Sequence, residues 1–301
     1  MDLISIRDLT KEDVEAYFKK TAEMEKNLAS GKKPVSNIVV ANLFFEPSTR
    51  TSLSFQTAAK RLGADSVVYN ASTGSTQKGE TLKDTIRIID GYADLIVIRH
   101  PLEGSARLAA DVAVHPVINA GDGGNQHPTQ TLIDLYTILK CKGKIDGLAV
   151  QLVGDLKHAR AMRSLLYGLA MFGADVTLVA PKGLEMEKSV IDEVRERFGA
   201  KVSERSSLDL KSCDVLYVCR VQKERFSDPY EAEKVQKEFS LHEEDLKDVK
   251  KDLIILHPLP KIDEIPESVD RSPHAKYFEQ AKYGVPVRMA ILYSIIKEAQ
   301  K

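Results

Sequence analysis

The chain has 301 residues, of which 43% are hydrophobic and 29% charged, a globular composition long enough for two domains of about 150 residues each. Basic side chains number 43 and acidic ones 44, giving a net charge of −1; with no basic block, nucleic acid is an unfavourable partner. Cys141, Cys213 and Cys219 lack metal-type spacing and are too few for a disulfide framework, which fits a reduced cytoplasm, and neither a signal peptide nor a membrane-spanning apolar run is evident.

Thr10-Lys11-Glu12-Asp13 has the form of a capping box and predicts a long amphipathic helix to about Ser30. Strands and helices then alternate. Strands are expected over 38–45, 66–69, 94–98 and 117–120, and helices over 50–62, 81–91, 105–113 and 129–140. A second series follows Lys142-Gly143-Lys144, with strands over 148–153, 175–180, 200–203, 214–219 and 253–256 and helices near 159–172 and 186–198. A last helix, about 286–300, carries Val287, Ala290, Ile291, Ser294 and Ile295 on one face. Alternation of this kind predicts an α/β fold: two open parallel-sheet domains, with ligands received at the carboxyl ends of the strands and an active-site crevice between the domains. The expected division is 1–144, 145–284 and a C-terminal helix over 285–301.

The stretch with most chemical content is Ser48-Thr49-Arg50-Thr51, between an apolar strand and a helix whose apolar residues are Leu53, Phe55, Ala58, Ala59 and Leu62. Such a start aims backbone N–H groups and the positive end of the helix dipole at one spot, where hydroxyls and a guanidinium complete a cradle for phosphate. An ordinary Ser/Thr cap followed by a surface arginine would produce the same letters. Further motifs follow in order: Arg99 ending a strand, His127-Pro128-Thr129-Gln130 after a glycine-rich loop, Arg160 after Gly154-Asp155, Arg220-Val221-Gln222, and His257-Pro258-Leu259-Pro260. Alone, Arg99 could be a solvated strand end and His127 a helix cap. No G-x-G-x-x-G follows either first strand, which argues against a dinucleotide-binding dehydrogenase.

In this order and spacing the motifs resemble those of the aspartate/ornithine carbamoyltransferases over essentially the whole chain. The loop Ser75-Thr76-Gln77-Lys78-Gly79-Glu80-Thr81 and the leucine of His257-Pro258-Leu259-Pro260 favour the aspartate branch; a carbamoyltransferase for ornithine and an inactive paralogue are the alternatives. The resemblance implies transfer of a carbamoyl group from carbamoyl phosphate to the amine of L-aspartate, a step of pyrimidine synthesis, without cofactor or metal. It implies Ser48, Thr49, Arg50, Thr51, Arg99, His127, Gln130, Leu259 and Pro260 at carbamoyl phosphate, with Arg50, Thr51, Arg99 and His127 catalytic. Lys78, Arg160, Arg220 and Gln222 would meet aspartate. Ser75 and Lys78 would come from a neighbouring subunit of a homotrimer. Glu46 and Arg225 would form an interdomain link or a plain structural salt bridge, and Lys157 and His158 would be surface residues or supports of the site. In the family a glycine usually precedes the first aspartate-binding arginine; here Ala159 stands there, a change that matters only if that position needs a positive φ. The residues leave open whether a separate regulatory chain binds.

Overall fold

The computed structural model describes residues 1–70, 79–221 and 239–301. Ser75, Lys78, Gln222 and Arg225 therefore lie outside the described residues. Two compact units are present: Met1–Ile133 together with Tyr283–Lys301 (unit 1), and Asp134–Lys282 (unit 2).

Unit 1 opens with α1 (Lys11–Ser30), whose capping box is formed: Asp13 N donates to Thr10 Oγ1, and Thr10 N donates to Asp13 Oδ2. Such a cap stabilises a helix by about 1 kcal/mol. Then come β1 (Val39–Phe44), α2 (Thr49–Leu62), β2 (Asp65–Asn70), α3 (Leu82–Asp90), β3 (Leu95–His100), α4 (Ser105–Val112) and β4 (Val117–Asp122). The four strands pair in parallel in the order β2-β1-β3-β4. Their central residues, among them Val40, Leu43, Ile96 and Ile98, are buried, as are Phe55, Ala58, Ala59 and Leu62 of α2. Each large side chain buried in this way contributes about 2 kcal/mol. Helix α5 (Pro128–Lys142) carries the chain into unit 2.

Unit 2 contains β5 (Ala149–Val153), α6 (Arg160–Met171), β6 (Asp175–Val179), α7 (Lys188–Phe198), β7 (Val202–Arg205), β8 (Val215–Val218) and β9 (Ile254–Leu256). Its five strands are also parallel, ordered β7-β6-β5-β8-β9. The two parallel α/β sheets are those expected from the alternating pattern. Helix α8 (Tyr277–Ala299) then brings the chain back into unit 1.

The start of α8, at Tyr277, precedes the expected one by about two and a half turns. Pro286 lies inside the helix rather than at its beginning. A proline in a helix interior forfeits one backbone bond and crowds the preceding turn, which makes it look like a boundary. The preceding turns are instead held by tertiary bonds: buried Tyr277 donates to Asp270, and Gln280 is bonded to both His257 and Asp134. Beyond the proline, Arg288 donates to Ser54 Oγ at 2.7 Å and stacks over Phe55. Among the described residues no helix is long and apolar enough to cross a membrane.

Candidate active site

The strand order of unit 1 decides where its functional residues meet. From β1 the chain steps to β2 on one side and to β3 and β4 on the other, so the order reverses between β1 and β3. In open α/β sheets a ligand crevice forms at the carboxyl ends of the strands at such a reversal. Phe44 pairs with Arg99, and Phe45 N donates to Arg99 O at 2.8 Å. The segment after β1, which holds Ser48, Thr49, Arg50 and Thr51, thus shares one sheet edge with Arg99.

Ser48 occupies the N-cap position of α2 with extended backbone (φ −159°), yet its side chain makes no capping bond. Thr10 and Thr81, at the starts of α1 and α3, do accept such bonds. A hydroxyl fit to cap that does not do so leaves the helix's first N–H groups for another acceptor. Arg50 follows, with no side-chain ion pair among the described residues, and partial desolvation draws its pKa down; an arginine nonetheless stays charged. Thr51 is buried. Arg99 Nε donates to Glu46 Oε1 at 2.6 Å, which orients the guanidinium plane. Glu46 thus has a partner inside its own unit.

The loop after β4 carries His127 to the same edge. Gly123 N donates to His100 O at 2.9 Å, tying the loop to the end of β3. Buried Asp122 organises it: Oδ1 accepts from Gln126 N and Asn119 Nδ2, and Oδ2 accepts from Gly104 N and Asn125 Nδ2. Gly123 has φ +52°, and a Cβ there would lie 2.6 Å from Glu103 Cγ, so no larger residue fits. His127 is 6% exposed, and its carbonyl accepts from Gln130 N and Thr131 N at the first turn of α5.

Unit 2 repeats the arrangement. Its order reverses between β5 and β8, and the segments after those strands bear Arg160 and Arg220. Cys219 N donates to Val153 O at 2.9 Å, holding the two strand ends together. Gly154 has φ +120°, and a Cβ on it would come within 2.2 Å of Cys219 O. Asp155, fully buried, accepts from His158 N at 2.9 Å and contacts His158 Nδ1 at 3.1 Å, bending the turn toward α6. His158, half-buried, is thus a support of the turn, one of the two roles expected of it. Arg160 opens α6, and Ala159 before it has φ −82°, so the position makes no demand for glycine.

The third segment follows β9. Leu259 stands at φ +55° and is joined to Pro260 by a cis peptide bond. Its side chain packs against the apolar core of unit 2. Asp122, Asp134, Asp155, Glu264 and Gln280 were not singled out from sequence, although all five are buried and four of them bear carboxyl groups; the only local signal was the glycine-rich setting of Asp122 and Asp155.

No thiol is set up as a nucleophile. Burial pushes the Cys213 thiol up to about 12 and the Cys219 thiol well above its ordinary value, so both stay protonated and inert.

Comparison with known proteins bears on this geometry directly. Residues 1–140 match the model of the aspartate/ornithine carbamoyltransferase carbamoyl-P binding domain, and residues 146–295 match the Asp/Orn binding domain of the same family. The chain belongs to the aspartate/ornithine carbamoyltransferase family. It is 51% identical over 302 residues to the aspartate carbamoyltransferase catalytic subunit of Thermococcus kodakarensis, covering 97% of this chain and 95% of that one. The catalytic subunit of M. jannaschii aspartate transcarbamoylase superposes with a TM-score of 0.91 at 47% identity, covering 99% and 98% of the two chains. Aspartate transcarbamoylase from Trypanosoma cruzi, solved with carbamoyl phosphate and aspartate, gives a TM-score of 0.91 at 34% identity, covering 97% and 94%. The two family domains coincide with the two series of parallel strands described above.

Proposed function

We propose that this chain is an aspartate carbamoyltransferase: it transfers the carbamoyl group of carbamoyl phosphate to the amine of L-aspartate, forming N-carbamoyl-L-aspartate and phosphate for pyrimidine synthesis. The observation that carries this reading is a pair of sheet reversals, each edged by arginine: Arg50 and Arg99 in unit 1, Arg160 and Arg220 in unit 2. Both substrates are anionic. At about 4 Å and an effective dielectric near 20, each pair of like unit charges repels by about 4 kcal/mol. Joining them requires local cations, which a chain of net charge −1 has to concentrate at the site.

In this reading the uncapped start of α2, with Ser48, Thr49, Arg50 and Thr51, holds the phosphate. Arg99 meets phosphate and carbonyl oxygens, and His127 donates to the carbonyl oxygen as negative charge develops on it. Gln130 and the backbone around Leu259 and Pro260 hold the carbamoyl amine. Arg160 and Arg220, with Gln222, grip the two carboxylates of aspartate, since a guanidinium fork matches a carboxylate two bonds at a time. The uncharged amine attacks the carbamoyl carbon, a C–N bond forms, and the tetrahedral adduct expels phosphate with the electron pair of the broken C–O bond. The departing phosphate takes the amine proton. Rate then comes from orientation and preorganised charge rather than covalent catalysis.

Ser75 and Lys78 complete the site from a neighbouring copy in a homotrimer. A ring in which each subunit gives one loop and receives one closes with threefold symmetry. The curated relatives carry the name catalytic subunit, which supports a separate regulatory chain as a further partner. One assay tests the activity: carbamoyl phosphate offered with aspartate or with ornithine. Product from ornithine alone would assign the other branch, and product from neither would remove the enzyme reading. Sharing is tested by dissociating and reassembling Lys78→Ala with His127→Ala. Hybrid trimers regain activity if loops are exchanged; verified hybrids without activity leave Lys78 to its own subunit.

A further inference from the structure

Leu259 adopts a left-handed backbone conformation that side-chain-bearing residues seldom take, and the bonds that hold it there can be followed into the core of unit 2. Leu259 N donates to Nδ1 of His257 at 2.8 Å. A backbone N–H can only donate, so Nδ1 carries no proton and the ring's proton sits on Nε2. Nε2 lies 2.9 Å from Oε1 of Glu264, an oxygen that accepts from Ile262 N at 3.1 Å. Glu264 is buried; burial alone would raise its carboxyl pKa, but the contact with His257 and the backbone donors outweigh this and hold it below its ordinary value.

Behind the ring, His257 N donates to Gln280 Oε1 at 2.9 Å. Gln280 Nε2 donates to Asp134 Oδ1 at 2.6 Å, and Asp134 Oδ2 accepts from the Tyr217 hydroxyl at 2.8 Å. Tyr217, Asp134 and Gln280 are each at most 1% exposed. Burial first, and Asp134 next, raise the Tyr217 hydroxyl well above its usual pKa, so it remains a donor. A buried polar chain is costly unless donors and acceptors match, and a matched one fixes geometry. Here the Tyr217 hydroxyl, Gln280 Nε2, His257 N and Leu259 N each meet an acceptor.

We propose that His257, as the neutral Nε2–H imidazole, is a positioning residue for carbamoyl transfer: it sets the Leu259 backbone that receives the carbamoyl amine, and Glu264, Gln280, Asp134 and Tyr217 hold His257 in that orientation. The proposal rests on the carbamoyltransferase reading above and adds to it a relay that touches no substrate.

The test compares His257→Asn with His257→Leu in the full chain. An asparagine side-chain carbonyl can accept the N–H two residues on, as in an Asx turn, so it can restore the bond to Leu259; leucine cannot. Both lose the contact with Glu264 and should melt at similar temperatures. Carbamoyl phosphate affinity by calorimetry and kcat/KM should fall about tenfold in the leucine variant, the size of one hydrogen bond, and by less than about threefold in the asparagine variant. Equal losses in the two variants, or none in either, would overturn the positioning role. Should the leucine variant not fold, Gln280→Met removes the bond to His257 N from behind, and an unchanged carbamoyl phosphate affinity there would overturn it as well. A wild-type protein inactive toward aspartate would instead remove the functional reading on which the proposal rests.

Discussion

Replacing Gly154 by alanine tests whether the contact between the ends of β5 and β8 builds the amino-acid half of the site. Two costs can be separated. At φ +120° an alanine sits outside the regions open to L residues, a penalty of about 1–3 kcal/mol. Its Cβ would also stand 2.2 Å from Cys219 O and 3.1 Å from Cys219 Sγ. The first of these is a backbone oxygen of the residue just after β8, whose own N–H is held by Val153 O, so it cannot swing aside as a side chain would, and overpacking of this kind adds about 1–3 kcal/mol. Gly183 in the same unit supplies the control: its φ is +87°, and an added Cβ meets nothing within 4 Å. Gly183→Ala should therefore cost about 1 kcal/mol through backbone strain alone, and Gly154→Ala about 2–6 kcal/mol. Urea titration of both variants gives the comparison, with the slope expected to match wild type. Because Cys219 precedes Arg220, the Gly154 variant should also bind aspartate more weakly while its carbamoyl phosphate affinity changes little. Equal destabilisation in the two variants would refute the claim that the Cys219 contact, rather than backbone conformation, dictates glycine at position 154.

Arg50→Ala should leave the fold intact and lower kcat/KM on the order of 10²–10³-fold, since a charge-assisted hydrogen bond is worth about 1.5–3 kcal/mol and a bidentate pair more; near-normal turnover in a folded variant would remove Arg50 from the phosphate site. Arg220→Ala should raise the KM for aspartate far more than that for carbamoyl phosphate, and calorimetry with carbamoyl phosphate alone shows whether the halves are separate. Asp214 accepts from Ala149 N at 2.9 Å and from Lys250 at 2.7 Å. Burial alone would raise its carboxyl, but these bonds outweigh it and depress the folded pKa below the ordinary 3.8. Its contribution is then complete above the unfolded value and is lost as pH falls through the folded one, so the stability gap between wild type and Asp214→Asn should narrow below about pH 4; a gap independent of pH in acid urea titrations would contradict the ion pair's role.

Periodicity made the strands and most helices legible because a parallel sheet covered by helices writes apolar runs of one length and amphipathic runs of another. The capping box at Thr10 is equally local, since Thr10 and Asp13 are three residues apart. Ser48 shows the limit of such reasoning. Its letter and position are those of a cap, and its backbone is at the cap position, but only coordinates reveal that its side chain does not cap. The true start of α8 was hidden by Pro286, because the bonds that hold the helix before it connect Gln280 to Asp134, 146 residues earlier in the chain. Comparable separations, 146 residues for Gln280 and Asp134 and 83 for Tyr217 and Asp134, hid the far end of the relay behind Leu259. Hydrogen bonds between distant buried side chains leave no periodic trace, whereas the arginines at strand ends and helix starts stand at positions that local pattern marks.

Net charge and local charge answer different demands in this chain. A sheet reversal leaves two neighbouring strand ends whose connections depart in opposite directions, so backbone N–H groups there go unused by the ladder. Unit 1 places α2 at such a point and unit 2 places α6, and the first turn of each carries an arginine, Arg50 or Arg160. A cation at a helix N-terminus opposes the helix dipole, which by itself is unfavourable by about 0.3–1 kcal/mol. Arginines there are stabilised when an anion sits between guanidinium and helix, satisfying both. The same unfavourable placement occurring at both reversals is what an enzyme for two anionic substrates requires, and a single structural cap would not require it twice.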